Sequence, residues 1–387
     1  MLEDSAGAPP SRRRGAGAVA RWSRQRRAWW LLWAACPGLG WALLGRIEAG
    51  CGGLAAAWAA PLPALATLFG IGPALSRRID AHRRHWGPDP LPAFLASSGF
   101  PRRVLVPGDP ALPPAVHNLA RPPLGLYWHG HGALWPLLSR RQAVAVVGTR
   151  RASPHGLAMA EAIGAALAQA GWPVVSGLAE GIDAAAHQGC LDRSGRPVAV
   201  LGTPLERVYP RHHQSLQAAV GQAGLLISEL PAGTGVRAGH FAARNRLQVA
   251  LARAVVVVEC PLGSGALHSA RLAWQEQLPL WVVPADTSRQ SAVGSNRLLA
   301  QGATALLDPL DLVRQLGPGP LAHRRQQGPE EQADIDPQLL AAVGRGATLE
   351  TLCQRLELPA AALAQRLLAL ELAGQVRAES GLSWRAL

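Results

Sequence analysis

Between residues 143 and 284 the chain repeats one pattern: short apolar runs rich in valine, separated by segments with helical periodicity. The runs are AVAVVG (143–148), PVVSG (173–177), PVAVLG (197–202), LLISEL (225–230), AVVVVEC (254–260) and LPLWVVP (278–284), and they start about every 25–30 residues. A strand that is apolar at every position, not at alternate ones, is buried on both faces. Strands of that kind alternating with helices make a parallel sheet covered on both sides. The pattern predicts a Rossmann-like, doubly wound α/β domain over residues 141–316.

The flanks read differently. Residues 28–86 carry short helical stretches broken by PGLG (37–40), GCGG (50–53) and FGIG (69–72). Two glycine–apolar–glycine turns, each opening a helix, predict a helix-hairpin-helix or SAM-like module; the competing reading is a small helical bundle whose glycines only make turns. Residues 87–140 are proline-rich and read as an irregular connector packed on the core. Residues 1–27 read as a disordered basic tail and residues 317–333 as a linker. Residues 334–387 carry three helical stretches, then two short strands around Ser380-Gly381, the order of a winged helix.

Composition sharpens this picture. An apolar fraction of 49% is that of a globular chain. The net charge of +13 comes from arginine alone, since the chain has no lysine. Its distribution is uneven: residues 1–140 hold 16 Arg against 6 acids, and residues 334–387 hold 5 Arg against 6. A basic chain of this kind points to a polyanion. A groove-reading winged helix needs a basic recognition helix, but the candidate, 359–370, has a single arginine, Arg366. A protein-contacting or regulatory role is expected for it. The five cysteines are scattered without metal-ligand or redox spacing, which predicts a reducing compartment and no metal site. No apolar run reaches membrane-spanning length, and the arginine-rich start does not read as a secretory signal.

Rossmann-like sheets bind ligands at the carboxyl ends of their strands. Those ends are where chemistry concentrates: GTRR (148–151), SGLAEGID (176–183), GHFAARNR (239–246) and PLGSGALHSA (261–270). A dinucleotide site needs G-x-G-x-x-G and an acid ending the second strand. The first loop here runs G-T-R-R-A-S, the second strand ends Ser-Gly, and the lysine of a Walker loop does not exist in this chain. Asp183 and His187, four apart on a helix, form the one candidate acid–base pair; the alternative has Asp183 capping and His187 packing. Glu259 ends a strand but has no triad partner nearby in sequence. His129 and His131 in WHGHG read as surface or turn. What remains is polyanion binding, with Arg150, Arg151, Arg244 and Arg246 beside Ser-Gly turns suited to successive phosphates.

The ordered set VAVVGTRRASPHG, VVSGLAEGIDAAAH, VAVLGTPLERVYPRHH, ISELPAGT, HFAARNR, SGALHSARLA and GSNRLLAQGA resembles the DNA-processing protein A family, also called Smf. The resemblance covers the whole Rossmann-like domain. It implies a cytoplasmic bacterial protein that binds single-stranded DNA, protects incoming strands in natural transformation and loads the RecA recombinase. It implies a homodimer formed through the Rossmann-like domain, no catalytic site and no cofactor. Carried over by motif, the candidate DNA-contacting residues are Gly148, Thr149, Arg150, Ser176, Gly177, Gly181, Ile182, Asp183, Arg244, Asn245, Arg246, Gly263, Ser264 and Gly265, with Asp183 expected to shape its loop and Arg211 a weaker phosphate contact. Arg151 either joins them or braces the loop. Ala242, His268, Ser269 and Ala285 depart from the family pattern, and arginine must serve wherever the family uses lysine. An alternative function is a nucleoside monophosphate phosphoribohydrolase on the same rim. Its nearest string is PAGTGV (231–236), which lacks that family's glycine pair and acid.

Overall fold

The computed structural model describes residues 22–97, 103–322, 336–379 and 381–387. Residues 1–21 of the expected tail, 323–333 of the expected linker and Ser380 of the expected hairpin lie outside them.

Nine strands form one sheet in the order β1-β2-β6-β5-β4-β3-β7-β8-β9. Six of them are the valine-rich runs: β3 (Val144–Val147), β4 (Val174–Ser176), β5 (Pro197–Leu201), β6 (Leu225–Ser228), β7 (Ala254–Val257) and β8 (Leu280–Val282), all parallel. The short β9 (Thr304–Ala305) extends one edge in parallel. The helices that follow these strands are α9 (Pro154–Gln169), α10 (Ile182–Asp192), α11 (Gln214–Ala223), α12 (Ala238–Leu251), α13 (Gly265–Gln275), α14 (Val293–Ala300) and α15 (Pro309–Leu316).

Alternation within β3 shows why its sequence is apolar throughout. Val144 and Val146 pack with Ile163 and Leu167 of α9 and Ala186 of α10. Ala145 and Val147 pack on the other face with Leu247 of α12 and Ala270 of α13. The fold is therefore the expected doubly wound one, and strand order reverses between β3 and β7.

The connector departs from the expectation. Residues 87–140 hold β1 (Val104–Leu105) and β2 (Leu126–Gly130), which extend the sheet antiparallel beyond β6, with Trp128 opposite Ile227. They also hold α6 (Pro90–Ser97), α7 (Pro114–His117), a 3-10 turn (Gly132–Leu134) and α8 (Trp135–Ser139). Prolines at helix starts and beside short edge strands hid this structure, because both positions tolerate a missing amide.

The amino-terminal module comprises α1 (Arg24–Ala34), α2 (Trp41–Gly50), α3 (Leu54–Ala59), α4 (Leu62–Ala66) and α5 (Pro73–Trp86), with α6 packed against α1 and α5. Its core is Trp30, Trp33, Leu44, Ile47, Trp58 and Ile79. The turns PGLG and FGIG open α2 and α5, burying Leu39 and Ile71 while their glycines stay exposed. Residues 24–27 of the expected tail are helical. Helix α1 begins at Arg24, and the buried Arg27 guanidinium pairs with Asp109 and reaches the Val104 carbonyl at 2.9 Å.

The tail forms α16 (Pro337–Val343), β10 (Ala347–Thr348), α17 (Leu349–Leu356), α18 (Ala360–Leu372), β11 (Val376–Glu379) and β12 (Ser383–Ala386). The strands lie in the order β10-β12-β11. This is a winged helix. Its third helix, α18, lies against the 3-10 turn and α8 of the sheet domain. Glu371 ties the two together: one carboxylate oxygen accepts from the Ala133 amide and the other from the Ala378 amide, both at 3.1 Å. Residues 317–322 are not free chain. The Trp172 indole donates to Gly317, and the Gly319 amide to Ala170.

Candidate nucleic-acid interface

The first loop explains itself from neighbouring atoms. The Thr149 amide donates to the Glu259 carbonyl at 2.7 Å, and Ile182 donates back to the Thr149 carbonyl at 3.2 Å. A Cβ on Gly148 would collide with Ile182 and that Glu259 carbonyl, so the glycine allows two loops to close together. Gly181 has φ +76°, and a side chain there would meet the carbonyls of Thr149 and Arg150. Gly148, Gly181 and Ile182 thus join the loops to each other. The Thr149 hydroxyl accepts from the Arg151 amide at 3.2 Å.

Glu259 answers why the other dinucleotide glycines are missing. Its carboxylate accepts from the Ser153 amide at 3.1 Å and the Ser153 hydroxyl at 2.7 Å, at the amino end of α9. That end, at the switch between β3 and β7, is where a pyrophosphate sits in a dinucleotide binder. The protein fills the position with its own anion. Burial pushes the Glu259 carboxyl up, but hydrogen bonds from Ser291 and Ser153 outweigh it and hold the group below the ordinary range.

The second and third clusters turn inward. The Ser176 hydroxyl is fully buried and donates to the Val146 carbonyl at 2.6 Å. Asp183 accepts from the Gly177 amide at 3.1 Å and from Arg244 at 3.3 Å. Arg244 is 4% exposed, also reaches the Val200 carbonyl, and donates to the Asn245 side chain at 3.1 Å. Burial pulls Asp183 up and Arg244 down, each against the attraction of the other's charge. Gly177 has no room for a Cβ because the Arg244 guanidinium lies over it. Asn245 donates to the Gly265 carbonyl at 3.1 Å, while the Ser264 hydroxyl caps α13 and Gly263 turns the loop at φ +76°.

These contacts correct the sequence reading of two arginines. Arg244 braces the loops from below and does not face outward. Arg246 spends all five N–H groups internally: two on Glu229 at 2.9 and 2.7 Å, two on the Arg121 carbonyl at 3.1 and 3.0 Å, and one on the Ala243 carbonyl at 2.7 Å. The candidate acid–base pair is not assembled either. Neither ring nitrogen of the fully buried His187 has a hydrogen-bond partner. Burial, with Arg244 and His213 nearby, lowers its pKa to about 3, so it is neutral. The 231–236 loop is occupied from within, since the Gly233 amide donates to the Glu206 carboxylate at 2.8 Å. His131 has an acid neighbour that sequence spacing concealed, Glu371, 4.0 Å away.

What faces outward is smaller and different in kind. A cavity of about 520 Å³ opens at the carboxyl ends of β4 and β5, lined by Arg150, Gly177, Arg207, Tyr209, Arg211 and Phe241, among others. The Arg150 guanidinium stacks over the Phe241 ring at 5.0 Å, and Tyr209 packs against the same ring at 5.1 Å. Arg150, Arg151, Arg207 and Arg211 are exposed, and none forms an ion pair among the described residues. Glu180 also lines the cavity, with the His212 ring 3.4 Å from its carboxylate. Sequence reasoning named Arg150 and Arg211 but missed Arg207, Tyr209 and Phe241. The aromatic pair draws on two distant segments, and only the motif HFAARNR could have signalled Phe241. Among the described residues no group of three or more His, Cys, Asp or Glu side chains is placed to hold a metal, and no helix is long and apolar enough to cross a membrane.

A doubly wound sheet with its dinucleotide position self-filled, an arginine–aromatic rim and a docked winged helix defines the class. The chain belongs to the DNA recombination-mediator protein A family, whose profile matches residues 103–317, and a DprA winged-helix profile matches residues 323–381. Protein Smf of Synechocystis is 35% identical over 306 residues, 79% of this chain and 76% of its own length. Protein Smf of Escherichia coli is 34% identical over 249 residues, 62% of this chain and 66% of its own. The X-ray structure of DprA from Streptococcus pneumoniae aligns at 26% identity with a TM-score of 0.62, covering 74% of this chain and 97% of that one.

Proposed function

We propose that this chain binds single-stranded DNA across the outward rim and serves as a non-enzymatic recombination mediator. The observation that carries the reading is the Arg150–Phe241–Tyr209 cluster in an open cavity beside Arg207 and Arg211. Arginines neutralise phosphates, and an aromatic face accepts any base, so the pair suits an unpaired strand without sequence preference. Family membership and the DNA-processing names of its relatives support the same direction. In this reading the protein acts in the cytoplasm during competence, protects strands taken up in natural transformation, works as a homodimer through the Rossmann-like domain and hands the strand to RecA.

Fluorescence anisotropy with labelled oligo-dT tests the binding step. Four exposed arginines on phosphates predict a log–log salt slope of roughly −3, at about −0.7 per phosphate on a single strand. Arg150→Ala should weaken binding about tenfold and flatten the slope by about 0.7. Unchanged affinity and slope in Arg150→Ala would exclude this rim as the site. Strand exchange by RecA in the presence of a single-strand-binding protein tests the handover.

A further inference from the structure

A larger cavity lies between the amino-terminal module and the sheet domain. It measures about 820 Å³ and is lined by Trp41, Arg121, Pro122, Leu230, His240 and Arg246, among others. It shares a wall with the rim cavity. The segment from β6 to the first turn of α12 separates the two: Glu229, Leu230, Pro231 and His240 face the large cleft, while Val236 and Phe241 face the rim. The adjacent residues His240 and Phe241 therefore look into different cavities. The ridge between them carries three glycines. Gly233, Gly235 and Gly239 are exposed, and a Cβ on any of them would meet nothing within 4 Å.

The chemistry of the cleft also matches the rim. The carboxylate of Glu229 is neutralised by the bidentate Arg246. Two further donors of Arg246 hold the Arg121 carbonyl, which fixes the loop that carries Arg121. The Arg121 side chain is exposed and forms no ion pair among the described residues. Trp41, held edge-on by Trp30 at 5.5 Å and His117 at 5.5 Å, lines the same cleft as a half-buried ring. The cleft thus offers a cation without an ion pair and a fixed aromatic ring, the two kinds of group that hold a single strand.

We propose that this cleft is a second subsite for the strand bound at the rim. Single-stranded nucleic acid leaving Phe241 crosses the glycine ridge, places a phosphate on Arg121 and lays a base against Trp41. The proposal rests on the single-strand reading of the rim and extends it to longer strands.

The test uses the full chain and two oligo-dT lengths, one of about 5 nucleotides that fits the rim alone and one of about 20 that spans both cavities. Arg121→Glu should weaken the long oligomer roughly tenfold, the size of a lost contact to a charged group, and leave the short one unchanged. Arg150→Ala should weaken both. A 5-iodouracil placed within the long strand should crosslink to Trp41. Long-strand affinity unchanged in Arg121→Glu, or both lengths weakened equally, overturns the second subsite. Short-strand affinity unchanged in Arg150→Ala overturns the rim reading instead, so the two failures are distinguishable. Arg121 contacts Arg246 through its backbone carbonyl, so the substitution leaves that brace in place, and an unchanged melting temperature confirms it.

Discussion

Replacing Arg244 with alanine separates bracing from binding. The guanidinium is 4% exposed, and its partners are the Val200 carbonyl, the Asp183 carboxylate and the Asn245 side chain. Removing it leaves a buried carboxylate without its counter-charge and a buried carbonyl without a donor. Breaking a buried pair from one side costs about 3–5 kcal/mol. At roughly 2–4 °C per kcal/mol for a domain of this size, the melting temperature should fall on the order of 10 °C. Arg150→Ala removes an exposed side chain without an ion pair, so its stability should stay within about 0.5 kcal/mol while its DNA affinity drops. Differential scanning calorimetry reads the first effect, and anisotropy well below the melting transition reads the second. A double-mutant cycle with Asp183→Asn should show strong coupling, because the second substitution finds the pair already broken. An Arg244→Ala protein that melts within about 1 °C of wild type but loses DNA affinity would refute the reasoning and return Arg244 to the strand.

Phe241→Ala should cost about 1–3 kcal/mol of affinity for oligo-dT, the worth of one stacked base, with no change in salt slope. Burial raises the Glu371 pKa to about 7, although the Ala133 and Ala378 amides, Trp384 and Arg103 oppose it. A carboxyl raised on folding gives stability that is fully present below its ordinary range of about 4–4.5 and is lost as pH rises through 7. Urea midpoints of the full chain should therefore fall between pH 5 and 8 more in wild type than in Glu371→Gln. Glu259 has the opposite sign: held low in the fold, it contributes stability above the usual carboxylate range that is lost on acidification. Glu259→Ala should cost about 1–2 kcal/mol near neutral pH, the worth of a helix-end anion and cap, by thermal melting.

The parallel sheet was legible because six strands are near-continuous apolar runs, as a sheet covered on both faces requires. The winged helix was legible from helix order and a glycine turn. Strands β1 and β2 were not, because at two and five residues among prolines they carry no periodicity long enough to read. The loops follow the carboxyl ends of their strands, as their place in the sequence requires, but the direction of their side chains was invisible. HFAARNR marks Arg244, Asn245 and Arg246 equally, yet α12 buries Arg244 and turns Arg246 toward Glu229. Only three-dimensional contact could show which arginines were already occupied. The same limit hid Tyr209 and Phe241, which are 32 positions apart in the numbering and meet only through the fold.

Glu259 has a consequence for selectivity in a crowded cell. Nucleotides and dinucleotides are abundant there, and an open helix terminus in a Rossmann-like sheet would be a standing target for them. Because the carboxylate is covalently part of the chain, a soluble phosphate would have to displace it against a high effective concentration. On the single-strand reading proposed above, a strand would meet the rim, where the exposed arginines are, and not the helix terminus that Glu259 occupies.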